Sequence, residues 1–130
     1  MSIKHDYILD MISEFTDTVL AGMGKTRAGL SRDALRDYEA IVGRALDMDA
    51  ATLLALSPES LVTMVRLSAV DESLAVYAVF ALQRAAEIYE ASGDATGQLR
   101  RAQAQAVAGV YGFAVDAVPS EVEQALSEQG

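Results

Sequence analysis

A nine-residue run, Leu74-Ala75-Val76-Tyr77-Ala78-Val79-Phe80-Ala81-Leu82, constrains this chain more than any other feature. It presents apolar atoms all round, so its backbone belongs inside the packing, where each amide needs a bonded partner. Its flanks read as a helix: Asp71 stands ahead of it as an N-cap type, and Ala85, Ala86, Ile88 and Tyr89 carry the pattern to a Ser92-Gly93-Asp94 turn. A central helix of this kind requires other helices with one apolar stripe each to enclose it.

The remaining sequence supplies them. Ile8, Met11, Ile12, Phe15, Val19 and Leu20 recur at spacings of three and four, with Asp10, Ser13, Glu14 and Asp17 on the other side. Gly22 and Gly24 are expected to end this first helix, because glycine accepts the left-handed conformation at no steric cost. A second helix is predicted from an N-cap at Ser31, its stripe made of Leu35, Tyr38, Ile41, Val42, Ala45 and Leu46. Gly43 within it is expected to weaken it by about 1 kcal/mol relative to alanine. Asp49 caps a short helix over 50–56, and Ser57-Pro58 starts a fourth through Leu61, Val62, Met64, Val65 and Leu67.

A sixth helix is predicted from Thr96 or Gly97 to about Asp116, stopped before Pro119, and Ser120 with Glu123 forms a capping-box pattern for a last one bearing Val122, Ala125 and Leu126. Residues from Ser127 on are expected to fray. No segment alternates as a strand does. The expectation is an all-α antiparallel helix-hairpin stack of six to seven helices. At 130 residues it reads as one domain, with a first helix over 6–24, middle helices over 31–70, a hairpin over 71–118 and a short helix and tail over 119–130.

Charge and composition bound the function. The net charge of -9 repels phosphate backbones and anionic membrane surfaces, which argues against nucleic acid and membrane partners. The basic pairs Arg32/Arg36 and Arg100/Arg101 read as solvated faces, with no interleaved aromatics to stack bases. With no cysteine there is no thiolate nucleophile, disulfide or Cys-based metal site. Neither Leu74–Leu82 nor the 104–115 stretch reaches the ~20 residues that span a bilayer, and the opening Met1-Ser2-Ile3-Lys4-His5-Asp6 has no signal-peptide pattern, so a cytoplasmic location is expected. Apolar residues amount to 52%, enough to fill a core and leave surface to be covered by a partner.

The chemical motifs are sparse. Gly24-Lys25-Thr26 resembles the end of a phosphate loop, but Val19 stands where that loop needs glycine, and a helix precedes it rather than a strand. Asp6, Asp10 and Glu14 share one face of the first helix, where three carboxylates could attract a hard cation; a solvated acidic face is the simpler reading. His5 is the only histidine, so neither a Ser-His-Asp triad nor a histidine metal site is expected. Tyr7, Tyr38, Tyr77, Tyr89 and Tyr111 lie on or beside apolar stripes and read as core residues with the hydroxyl at the rim. No catalytic residue, cofactor or metal is assigned.

Leu82, Ala86, Tyr89 and the Gly93-Asp94 turn resemble the first helix and turn of a tetratricopeptide repeat, although Gln98 replaces the usual packing alanine beyond the turn and the closing proline is absent. More broadly, the opening 6–12, the 45–59 segment and the 89–94 turn resemble an uncharacterised bacterial family of helical proteins with repeat-like C-terminal halves. The repeat resemblance implies a partly acidic partner-binding surface made of Phe80, Gln83, Glu87 and Glu90. The leading expectation is a helical module that holds a protein or peptide partner or pairs with itself as a homodimer. The alternative is a small-molecule or metal-binding protein, or an enzyme, using carboxylates and tyrosines in an interhelical cleft.

Overall fold

A computed structural model describes residues 3–129, with side chains from 6 to 128. These residues form helices and no strand: α1 (Ile3–Arg27), α2 (Ser31–Ala45), α3 (Ala50–Leu54), α4 (Pro58–Ser68), α5 (Glu72–Ala91), α6 (Thr96–Tyr111) and α7 (Ser120–Gln129). The all-α architecture follows from the punctuation. Asp49, Ser57 and Asp71 each accept a hydrogen bond from a backbone amide of the helix they open, and Pro58 occupies the first turn of α4.

The apolar run lies where its composition requires. α5 is packed by α1, α2 and α6, and residues on every side of it are buried, from Leu74 and Tyr77 to Ala85 and Ala86. Each large side chain enclosed in this way contributes about 1.5–3 kcal/mol relative to exposure. α1 and α2 form an antiparallel pair, because Lys25 meets Asp37 near one end and Glu14 meets Arg44 near the other. α5 and α6 form a second hairpin around the 92–95 turn. Gly97 lets them approach: a Cβ there would stand 3.1 Å from the carbonyl oxygen of Ala86 and 3.0 Å from Glu90 Cγ.

Helix ends depart from the sequence expectation at several points. α1 does not stop at Gly22 or Gly24; it runs to Arg27 and closes at Gly29 (φ +82°) with Leu30 N–H donating to Lys25 O and Gly29 N–H to Thr26 O, a Schellman motif. That closure leads straight into α2, so Leu30 takes the cap position and Ser31 makes no capping bond. α6 ends at Tyr111 rather than near Asp116, because Gly112 (φ +78°) closes it with a bond to Ala108 O. α7 opens on the carbonyl of Pro119, which receives the Glu123 amide. Ser120 Oγ turns to Glu121 instead of forming the capping box. The helix continues through Ser127 and Glu128 to Gln129, where a frayed tail was expected.

Gly43 has a purpose beyond the helix it weakens. It is buried where α2 turns into α3, and a Cβ there would stand 3.0 Å from both Ala50 Cα and Met48 O. The turn itself is a second Schellman closure, with Asp47 in the left-handed conformation (φ +55°) and Met48 N–H donating to Gly43 O.

Candidate functional site

The acidic surface expected on α5 is not an open groove. Phe80 and Gln83 are buried: the Arg84 guanidinium lies 4.8 Å over the Phe80 ring, and Gln83 Oε1 accepts from Arg101. After Gly112 the chain returns along α5, so that Val115 to Val118 enclose with Phe80, Gln83 and Arg84 a space of only about 80 Å³. Glu90 is exposed but held by Arg101 in a two-pronged ion pair, with contacts of 2.8 and 3.0 Å. That bond holds its carboxyl below the usual range. Glu87, also exposed, faces a different cleft.

Arg100 corrects the reading of its pair as a solvated face. It is only 7% exposed, and it binds Glu39 Oε2 through Nε (3.0 Å) and the Leu54 carbonyl and Gln103 Oε1 through Nη1. Tyr89 donates its hydroxyl to the same Glu39 oxygen, and Gln103 Nε2 donates to the carbonyls of Leu54 and Leu56. This network joins α2, α5 and α6 to the end of α3, and its role is to fasten them, since a buried charge must be paired and bonded. Burial and the neighbouring Glu39 carboxylate raise the Tyr89 hydroxyl above its ordinary pKa. A second internal link joins the Tyr77 hydroxyl to Thr16 Oγ1 at 2.5 Å.

One interhelical cleft differs from these closed networks. It measures about 330 Å³, at the small end for ligand pockets, and lies between the end of α1, the start of α2 and the end of α5. Met23, Ile88 and Ala91 give it an apolar wall. Tyr38 is 2% exposed, yet no protein group among the described residues bonds its hydroxyl, in contrast to Tyr77, Tyr89 and Tyr111. Burial raises its pKa; Arg84 opposes that, Glu87 and Asp37 reinforce it, and Arg27 opposes it more weakly.

Arg84 stands on the same wall. Its Nε lies 3.0 Å from Glu87 Oε1, so the charges attract, but the N–H is not aimed at that oxygen and the atom is buried without a hydrogen-bond partner. No other buried side-chain nitrogen or oxygen among the described residues is left in this state. Arg27, exposed at the mouth, has no carboxylate partner among the described residues. Native proteins satisfy nearly all such groups, so the unsatisfied Arg84 Nε on this cleft is a departure with a location.

The other sequence motifs separate. Lys25 is consumed by Asp37 at 2.5 Å and Thr26 Oγ1 by the Gly22 carbonyl, both within the last turns of α1, so Gly24-Lys25-Thr26 cradles no phosphate. Asp6, Asp10 and Glu14 are exposed on α1, and Glu14 is engaged by Arg44. No group of three His, Cys, Asp or Glu among the described residues could hold a metal. The side chain of His5 lies outside the described residues. At the opposite end of α1 a smaller cleft of about 230 Å³ includes Tyr7, Arg44, Asp47, Ala69 and Asp71. Among the described helices none is long and apolar enough to cross a membrane.

No protein-family model, curated protein or solved structure matches this chain. Of the charged and phenolic cleft residues, sequence reading singled out Tyr38 as a stripe residue and Glu87 as a partner-binding one, but not Arg27 or Arg84. Their joint placement depends on α5 running alongside α1, a tertiary fact with no local signature.

Proposed function

We propose that this protein is a small-molecule binding module whose ligand occupies the cleft between α1, α2 and α5. The observation that carries the reading is that one cleft wall holds both Arg84, whose Nε is buried without a hydrogen-bond partner among the described residues, and Tyr38, whose hydroxyl bonds no described protein group. A bound acceptor reaching the Arg84 guanidinium would offset a cost of about 1–3 kcal/mol. The apolar wall from Met23, Ile88 and Ala91 would cover the rest of it. The test is an NMR screen of a fragment set containing acids, amides, amines and neutral aromatics, read on the Met23 and Ile88 methyl signals. The reading expects at least one chemical class to shift both; a set that moves neither refutes it.

Self-association is a second reading, supported by Leu9, which stands on α1 at 50% exposure. With the surplus of apolar residues it would contribute to one side of a two-fold contact. Light scattering across a concentration series tests it: a dimer weakened by Leu9→Glu supports the contact, and a monomer throughout discards it.

A further inference from the structure

We infer that the ligand of this cleft is a monocarboxylate with a short apolar body, its carboxylate between Tyr38 and Arg84 and its hydrocarbon part against Met23 and Ile88. The inference rests on the binding-module reading above and adds the chemical class to it.

Charge is the first argument. The cleft holds two cations, Arg27 and Arg84, and one carboxylate, Glu87, so its side chains carry a single net positive charge in a protein whose total is -9. A monoanion balances that charge. A phosphate dianion exceeds it and meets Glu87, and an amine meets two cations. Phosphate esters of sugars would also bring several hydroxyls to a wall whose remaining polar side chains are Thr26 and Ser31.

Donor geometry is the second. Among the described residues Arg84 has no hydrogen-bond partner. The contrast with Arg44, Arg100 and Arg101 is clear, since each of those donates to a carboxylate oxygen. A guanidinium fork matches the two oxygens of a carboxylate, and a phenolic O–H beside it can donate to one of them. The Phe80 ring lies beneath the guanidinium and supports it in place from below. Size is the third: about 330 Å³ leaves room for a compact molecule only.

The experiment titrates the intact chain with hexanoate, hexanamide and hexylamine, which share a chain length and differ in head-group charge, while recording the Met23 and Ile88 methyl and Arg84 Nε–H signals. The expected result is that hexanoate shifts all three and binds at least tenfold tighter than hexanamide, with hexylamine weakest. Arg84→Gln and Arg27→Gln should each weaken hexanoate several-fold and leave hexanamide unchanged. Arg27 is exposed, so its variant tests the charge even if Arg84→Gln disturbs packing over Phe80. If all three probes bind the cleft with similar affinity, the carboxylate inference is overturned and the binding-module reading stands. If none of them, nor any member of the fragment set, moves the cleft signals, both fall.

Discussion

The ring of Tyr38 on α2 lies against the bare backbone of Gly22 on α1, so closely that a Cβ at Gly22 would stand 2.9 Å from Cζ and 3.0 Å from the hydroxyl oxygen. The freest direction for the phenol to yield is the cleft it lines. Gly22→Ala therefore combines a gain of about 1 kcal/mol in helix propensity with an overpacking cost of about 1–3 kcal/mol. The expected net change in stability is small, about 1 kcal/mol of loss, while ligand binding in the cleft is abolished. Urea denaturation beside a binding titration checks this; a loss above ~3 kcal/mol would mean that Tyr38 cannot move.

Gly43 and Gly109 are both helical glycines, and the structure assigns them opposite signs. Around Gly43 the near atoms include the backbone of Ala50 and Met48, which cannot swing away, so Gly43→Ala should destabilise by about 1–3 kcal/mol. Nothing lies within 4 Å of a Cβ at Gly109, so Gly109→Ala should stabilise by about 1 kcal/mol. Thermal melts of the two variants, compared with the parent chain, decide the point.

Much of the fold was legible because its signals are local. Asp49, Ser57-Pro58 and Asp71 mark helix starts through bonds made within three residues, and the run 74–82 announces a buried helix by composition alone. What escaped is tertiary. Gly22 reads as a stop but is a contact for Tyr38, and Arg100 reads as one of two adjacent surface cations until Glu39 arrives from another helix. The burial of Phe80 and Gln83 escaped for a similar reason: periodicity could not show that Val115 to Val118 would return alongside them.

Tyr77 makes stability fall at alkaline pH. Burial pushes its hydroxyl up to about 12 from an ordinary 10.0, partly offset by the Thr16 hydrogen bond and reinforced by Glu121. The folded state then holds the proton more tightly than the unfolded chain, so this contribution is complete below pH ~10 and is lost as pH rises toward about 12. The two-unit difference corresponds to about 2–3 kcal/mol. Denaturation at stepped pH should show the decline beginning near 10, and Tyr77→Phe should make it shallower.

Glu39→Ala should be among the most damaging single substitutions. It strips Arg100, a buried residue in the native fold, of its carboxylate, and takes the acceptor from Tyr89. Losing one partner of a buried pair costs about 3–5 kcal/mol. Lys25→Ala, which breaks a half-exposed pair with Asp37, should cost under ~1 kcal/mol. Denaturant midpoints measured side by side test the contrast.

Glu39 also bears on how long the native state lasts. Its bonds reach 50 residues ahead to Tyr89 and 61 to Arg100, whereas each hairpin closes over a short turn. Loop-closure entropy grows with the length of chain enclosed, so the hairpins can assemble before this carboxylate meets its partners. An interaction made after the folding barrier leaves the refolding rate unaltered and raises the barrier to opening. The clasp across α2, α5 and α6 is thereby a determinant of lifetime, and its loss should appear in stopped-flow traces as faster unfolding.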